Sequence, residues 1–221
     1  VTLGAVGTGD AAYGLINRGA ITGSGVYSGI QGRGLQLGVD GGQAVTIAGG
    51  VRNEGSIAAS AVDANATAIQ VGAGVSAPAL VNTGTIQAVV AGKGTEAATG
   101  VLIGAGANVG SLTNTGTMIA SYGGDDGSAT VIRDQSGSLT QLNNAGVIAG
   151  SLTASSSSLA DVSGTVTAID LSANTSGVTL RQYGIPAAAD STATDTDKDG
   201  VPDASEPQIR SEEHTSELQS H

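Results

Sequence analysis

A box of seven residues recurs along the chain, with apolar residues at its first and seventh positions, Asn at the third and Gly at the fifth. Its copies are Leu15–Ile21, Val51–Ile57, Leu80–Ile86, Leu112–Met118 and Leu142–Ile148. Successive Asn positions are separated by 36, 29, 32 and 30 residues. A period of this length indicates that one structural unit is repeated with loops of varying length.

The boxes lie in longer repeats, of which Ala66–Ala88, Ala98–Ala120 and Ala129–Ala149 align best. Each repeat reads as a strand, a Gly or Ser turn, a second strand, the Asn-x-Gly corner and a short third strand. This order predicts an all-β fold, a right-handed parallel β-helix (β-solenoid) with about one coil, or slightly more, per repeat. The apolar box residues would point into the core, and Asn side chains of successive coils would hydrogen-bond along the axis. At the corner, Asn and Gly would supply positive φ angles at low cost.

The segments between and after these repeats divide the chain further. Val90–Ala97 and Tyr122–Ser128 are polar and rich in glycine, which predicts loops. Val166–Ile185 keeps the strand phase but has Gln182-Tyr183-Gly184 in place of the box, which is typical of a terminal unit. We therefore expect a β-helical repeat region over residues 1–185, an acidic linker over 186–209 and a separate tail over 210–221.

Composition supports an ordered repeat protein over a disordered chain. Aromatic residues make up 2% of the sequence and hydrophobic residues 39%, with 36 glycines. A column of stacked aliphatic side chains does not need aromatic residues. The net charge of −11 and the pI near 4.2 argue against nucleic-acid binding, which needs clustered Lys and Arg. The chain has no cysteine, and no apolar run reaches the length of a membrane-spanning helix.

The repeats GLINRGAITG, LVNTGTIQA and LTNTGTMIAS resemble those in the passenger regions of bacterial autotransporters, the type V secreted surface proteins. The resemblance covers about Gly14–Ile185. It implies an extracellular, cell-surface location and an anchor in the outer membrane, formed by a C-terminal β-barrel that these 221 residues do not include. The ligand would be a host molecule or another surface, which the resemblance does not identify.

Both ends of the chain suggest a fragment. It opens on Val1 without the features of a signal peptide. Arg210–His221, RSEEHTSELQSH, looks like the in-frame translation of a common sequencing-library adapter. We expect the natural protein to begin before Val1 and to continue beyond Ile209. The fold prediction therefore does not include the last twelve residues.

An acidic segment near the end matches the twelve-residue calcium loop D-x-D-x-D-G followed by five residues and Glu. Alternating carboxylates converge on a hard cation, Gly200 makes the sharp turn, position seven offers its backbone carbonyl and the last Glu closes the shell. The flanks lack the amphipathic helices of an EF-hand, and the motif resembles the isolated calcium loops of extracellular proteins. A solvated acidic linker is the alternative. The predicted calcium ligands are Asp195, Asp197, Asp199, Val201, Asp203 and Glu206.

Catalytic readings find little support in the sequence. Both histidines, His214 and His221, lie in the adapter-like tail, so nucleophile systems that need His or Cys have no candidate residues. A glycosidase or lyase would need paired carboxylates, and we see none at a shared phase in adjacent repeats. Arg133-Asp134 reads as a solvated surface pair, and Asp125-Asp126 as a surface turn. The acidic residues in question are Asp10, Asp40, Glu54, Asp63, Glu96, Asp125, Asp126, Asp134, Asp161 and Asp170.

The sequence therefore predicts a structural or adhesive passenger fragment and not an enzyme. A β-helical polysaccharide lyase or glycosidase stays open as an alternative. So does a calcium-dependent repeat adhesin that is exported by another route.

Overall fold

The computed structural model describes residues 1–9, 12–39 and 41–183, together with the backbone of Gln208–His214. Its strands wind into a parallel β-solenoid of about four turns. Helical structure within these residues is limited to one 3₁₀ turn, Leu159–Asp161. The predicted all-β solenoid is confirmed, and its right hand stays a prediction.

Each coil contributes one strand to each of three long parallel sheets, numbered here in the order in which the chain meets them. Sheet 1 contains the strands that lead into the corner: Leu15–Asn17, Val51–Asn53, Ala79–Asn82, Ser111–Asn114, Gln141–Asn144 and Thr179–Gln182. Sheet 2 contains those that follow it: Ala20–Ser24, Ser56–Val62, Thr85–Ala91, Thr117–Gly123, Val147–Thr153 and Gln208–His214. Sheet 3 contains Gly32–Leu37, Ala66–Val71, Ala97–Ile103, Ser128–Asp134 and Thr165–Asp170, and a short fourth sheet contains Thr2–Leu3, Val45–Ile47 and Val75–Ser76.

The register places equal box positions directly above one another. Leu80 pairs with Val51 and with Leu112, and Ile86 pairs with Ile57 and with Met118. From the second coil to the fifth, box positions one and seven are at most 1% exposed, as predicted. Burial of each such side chain contributes about 1.5–3 kcal/mol to the free energy of folding, so these columns supply much of the hydrophobic stabilisation of the core.

The backbone conformation of the corner glycines differs from the prediction. Positive φ angles occur at several other glycines, but none of the five box glycines, Gly19, Gly55, Gly84, Gly116 and Gly146, has one. Their role is steric, because a Cβ atom on Gly84 would overlap the carbonyl oxygen of Gly55 in the preceding coil. The same overlap recurs at the other corners except the first. Close stacking of the coils therefore requires glycine here, and the expectation of positive φ was wrong.

The third strand of each repeat is longer than predicted. Thr85–Ala91, Thr117–Gly123 and Val147–Thr153 are seven residues long. The segments Val90–Ala97 and Tyr122–Ser128, predicted as loops, therefore shrink to residues 92–96 and 124–127. Parallel pairing with the neighbouring coils satisfies the backbone over the whole length of these strands.

The last described coil keeps the register of the repeat without its sequence. Gln182 pairs with Asn144, and the Asn144 amide donates to Gln182 Oε1 at 3.2 Å. The prediction that Gln182 takes the place of the box Asn is confirmed. The backbone of Gln208–His214 pairs with Val147–Thr153 and so includes part of the adapter-like tail. The domain boundaries at 185 and 209 stay predictions.

Candidate functional site

The predicted calcium ligands Asp195, Asp197, Asp199, Val201, Asp203 and Glu206 lie outside the described residues, as does Gly200. Within the described part of the chain, no group of three or more acidic or histidine side chains is placed to hold a metal ion. That finding does not reach the acidic segment, and calcium binding there stays a prediction.

The loops that join sheet 2 to sheet 3 stack along one edge of the solenoid. Five carboxylates and one ammonium group, that of Lys93, lie on these loops. Arg33, on the strand that follows the first loop, donates to Gln31 of that loop at 2.8 Å. We call this edge the acidic corner. Its loops are 25–31, 63–65, 92–96, 124–127 and 154–164, and its carboxylates are Asp63, Glu96, Asp125, Asp126 and Asp161.

The longest of these loops folds back on the preceding coil through Asp125 and Asp126. Backbone N–H groups of Ser156 and Ser155 donate to Asp125 Oδ1 at 2.9 and 2.7 Å, and these hydrogen bonds lower the pKa of the Asp125 carboxyl. Ser163 Oγ donates to Asp126 Oδ1 at 2.9 Å. The aspartate turn therefore orders the loop above it, and the Asp126 side chain remains exposed.

Tyr122 anchors the middle loop of the corner, residues 92–96, from the following coil. Its side chain is 1% exposed, and its hydroxyl lies 2.7 Å from Gly94 O and 3.0 Å from Glu96 Oε2. Burial, reinforced by the Glu96 carboxylate, raises the pKa of Tyr122 to about 12. Gly94 N–H also donates to Glu96 Oε2, at 3.0 Å, so loop 92–96 closes on itself over the ring.

A polar cleft of about 350 Å³ opens between the first three coils at this corner. Asp63, Asn65 and Glu96 are among the residues that line this cleft. Asp63 has a φ of 47° and accepts a hydrogen bond from Ser28 Oγ at 2.8 Å. Asn65 Oδ1 accepts from the Ala97 N–H at 2.8 Å. The cleft is therefore built by hydrogen bonds between adjacent coils.

Large apolar side chains are exposed beside the cleft. Val26, Tyr27, Ile30 and Val62 are 76%, 77%, 55% and 42% exposed, and we call them the apolar patch. Gly29 N–H donates to Val62 O at 2.9 Å, which joins the first loop to the second strand of sheet 2. Gly29 also lines the cleft, so patch and cleft form one continuous surface.

Charges elsewhere on the described solenoid are largely paired with each other. Arg18 and Arg52 each donate to Glu54 at 2.7 Å; the hydrogen bond from Arg18, followed by that from Arg52, lowers the pKa of Glu54. Arg52 also lies 5.7 Å from the centre of the Tyr13 ring. The Arg18–Glu54 pair joins the first two coils, and the three side chains together carry one net positive charge.

The reading of Arg133-Asp134 as a solvated pair was wrong. Arg133 points outward and bonds to Asp170 at 3.2 Å, and hydrogen bonds from Ser172 together with this cation lower the pKa of Asp170. Asp134 points inward, is 1% exposed and accepts from Ser136 N–H and Leu139 N–H at 2.9 and 3.2 Å. Adjacent strand residues face opposite sides, and Asp134 organises the turn that follows its strand.

The alignment of carboxylates at the acidic corner was not predicted. Loops of unequal length precede sheet 3, so these carboxylates lie at different distances from the box Asn. Counted back from the opening Ala of each repeat, Asp63, Glu96 and Asp126 fall three, two and three residues before Ala66, Ala98 and Ala129. This nearly constant offset from the opening Ala is the sequence signal from which the alignment of the carboxylates could have been predicted.

Among the described residues, no helix is both long and apolar enough to span a membrane. Comparison of the chain with protein-family models, with curated proteins and with solved structures gives no match. The geometry of the solenoid is thus the basis for a functional proposal.

Proposed function

We propose that the chain is a surface-exposed passenger segment of an autotransporter-like outer-membrane protein, with a structural and adhesive role and no catalytic one. The observation that carries the proposal is the stacking of variable loops along one edge of a parallel solenoid. The passenger-like repeat style of the boxes supports it.

The proposed adhesive mechanism follows from the contacts that hold successive coils together. Aliphatic columns and hydrogen bonds between coils fix one cross-section, so the solenoid acts as a stiff stalk. Loops at the acidic corner differ in length from 63–65 to 154–164 while the flanking strands keep their register. Surface loops tolerate such changes, so contacts can vary without disturbing the stalk.

Calcium binding at Asp195–Glu206 belongs to the same proposal. The oxygen donors in this segment suit a hard cation, and a loop without flanking helices would be ordered by the ion itself. In extracellular calcium, the loop would stiffen the junction between the stalk and the part of the protein that follows. The ligands would be Asp195, Asp197, Asp199, Val201, Asp203 and Glu206.

Adhesion is tested by displaying the chain on bacteria through an unrelated outer-membrane anchor. We expect more of these cells to be retained on cultured animal cells or on a polysaccharide-coated surface than of cells that carry the anchor alone. Equal retention on every surface would contradict the adhesive role. Recovery of the complete gene tests the family, since the absence of a barrel-coding region downstream would remove the autotransporter proposal.

A polysaccharide-cleaving enzyme is the second candidate, because Asp63 and Glu96 line one cleft. Two carboxylates facing a sugar chain are the minimum for glycoside hydrolysis. The test is release of reducing ends or unsaturated products from acidic and neutral polysaccharides. Turnover that is lost in both Asp63→Asn and Glu96→Gln would replace the adhesive proposal with this one.

A further inference from the structure

The apolar patch is an unusual feature on this chain. Only four residues of the sequence are aromatic, and one of them, Tyr27, is 77% exposed. Val26 and Ile30 lie on the same loop, and Val62 of the next coil is joined to that loop by the Gly29 hydrogen bond. Exposed apolar side chains grouped in this way mark interaction sites, and Tyr is enriched where proteins meet.

The patch is held rigid, which favours binding. Gly25 N–H donates to Ser60 O at 2.8 Å, and Ile30 N–H donates to Tyr27 O at 3.1 Å. A Cβ atom on Gly25 would overlap the carbonyl oxygen of Ile30, so the loop is closed tightly across its base. A surface that is ordered before binding loses less conformational entropy when a partner docks.

Charge next to the patch indicates the chemistry of the partner. Asp63 and Glu96 line the adjoining cleft, and Asp125 and Asp126 continue along the same edge. A second copy of this chain that docked through the same surface would meet its own carboxylates and be repelled. A segment with both apolar and cationic side chains complements patch and corner together.

We infer that the apolar patch and the acidic corner dock an extended basic, amphipathic segment of a partner protein. This inference rests on the adhesive role proposed above and specifies the class of partner. Five loops stacked about 4.8 Å apart make an edge about 20 Å long, which an extended segment of about six residues spans. Its apolar side chains would cover Tyr27 and Ile30, and its Lys or Arg side chains would face Asp63, Glu96 and Asp126.

Fluorescence anisotropy with three labelled peptides of about ten residues tests the inference. The Lys–Leu peptide carries Leu in one half and Lys in the other, the Lys–Ser peptide has Ser in place of Leu, and the Glu–Leu peptide has Glu in place of Lys. We expect saturable binding of the Lys–Leu peptide and binding at least about tenfold weaker for the other two. Equal binding of the Lys–Ser peptide would overturn the inference, because charge alone would then explain the affinity.

Two pairs of substitutions locate the site. Tyr27→Ser with Ile30→Ser should weaken binding of the Lys–Leu peptide about tenfold. Asp63→Asn with Asp126→Asn should weaken it and flatten its dependence on salt concentration. Asn tolerates the positive φ of Asp63, so this pair keeps the fold.

Val39→Ser and Glu54→Gln are the matched controls, since Val39 is 55% exposed and both residues lie away from the acidic corner. Both controls should bind like the parent. If no variant changes the affinity, or if the parent fails to bind the Lys–Leu peptide, the inference is overturned. Retention of displaying cells without peptide binding would reject the docking site alone. Loss of both would reject the adhesive role as well.

Discussion

Each box carries two residues with separate structural roles. The Asn side chains form a buried ladder in which each amide donates to the next Asn Oδ1 at 2.7 or 2.8 Å. Each amide also reaches backbone carbonyls, such as that of Val147 for Asn114, at 3.1 Å. The Gly two residues later lets the next coil approach. One residue joins the coils through hydrogen bonds, and the other removes a steric barrier between them.

Substitution of Asn114 by Ala should destabilise the protein by about 2–4 kcal/mol, because the Asn82 amide and the Asn144 carbonyl would each lose a buried partner. Chemical denaturation measures the change. Asn143→Ala is the control, since its side chain makes one long contact of 3.4 Å and its Oδ1 is the one buried unpaired side-chain atom found among the described residues. The control should change stability by less than about 0.5 kcal/mol. Equal losses would contradict the role of the ladder.

Substitution of Gly84 by Ala should cost at least about 3 kcal/mol or prevent folding, since the new methyl group would overlap the Gly55 carbonyl. Gly19→Ala changes the same box position in the first coil, where nothing lies within 4 Å of the added atom. That variant should unfold within about 0.5 kcal/mol of the parent. If conformation at the corner were limiting, the two changes would cost the same.

At the scale of the element, the strands of sheet 2 decide where the solenoid ends and the loops begin. Because Thr117–Gly123 continues through Tyr122, the ring packs inside the coil and its hydroxyl reaches loop 92–96 of the preceding coil. Because this buried ring near the end of its strand holds loop 92–96, the loop belongs to the fixed part of the solenoid. Exposed chain available for contacts is therefore concentrated in the first loop and the last.

Tyr122 should give the protein an alkaline limit. Its pKa is about 12 in the folded protein and about 10 in an unfolded chain, so the folded state holds the proton more tightly. The associated stability is present below about pH 10 and is lost as the pH rises towards 12. Tyr122→Phe should cost about 1 kcal/mol at neutral pH and remove this part of the alkaline loss.

Denaturation near pH 8 and near pH 11 measures the effect, with Tyr27→Phe as the control because Tyr27 is 77% exposed. An alkaline loss of the same size in Tyr122→Phe and in the parent would contradict the assignment.

At the scale of the whole molecule, the core that supports the solenoid is separate from the surface proposed to bind partners. The core is aliphatic apart from Tyr122 and continuous from Leu37 to Leu152, whereas five of the carboxylates and the apolar patch lie at one corner. The net charge of −11 includes the acidic segment that follows the repeats. A divalent cation at that segment would offset part of the charge where the described coils end.

Calorimetric titration of residues 1–209 with calcium tests this point. We expect saturable heat that disappears in the Asp195→Ala, Asp199→Ala double variant, because two of the carboxylate ligands would be lost. The Asp125→Asn, Asp126→Asn double variant removes the same charge elsewhere, keeps the oxygens that accept from loop 154–164 and should keep the heat. Absence of heat in the parent would make Asp190–Glu206 a charged linker.

Much of the architecture was predictable from the sequence because the solenoid repeats its contacts with its residues. The apolar box positions, the Asn ladder and the substitution by Gln182 all follow from the spacing of the boxes. The role of Gly84 was not predictable, since it depends on how closely two coils approach. Tyr122 was assigned to a loop because its neighbours are polar, although the alternation of the strand continues through it.

The acidic corner illustrates the limit of counting along the chain. Asp63 and Glu96 come together because loops of different length begin and end at the same points of the stack. Loop length changes the distance along the sequence but not the position in space. Contacts across such loops become visible only when the register between coils is known.

The matching register of the coils has a consequence for how the length of the solenoid can change during evolution. Removal of residues 85–116 would join Gly84 to Thr117, and Thr117–Gly123 would then face Ser56–Val62 with the same partners that Thr85–Ala91 has now. In-frame loss or duplication of one coil therefore shortens or lengthens the rod by about 4.8 Å without any compensating substitution. The reach of the protein can thus be altered by recombination between its own repeats, while each remaining coil keeps its neighbours.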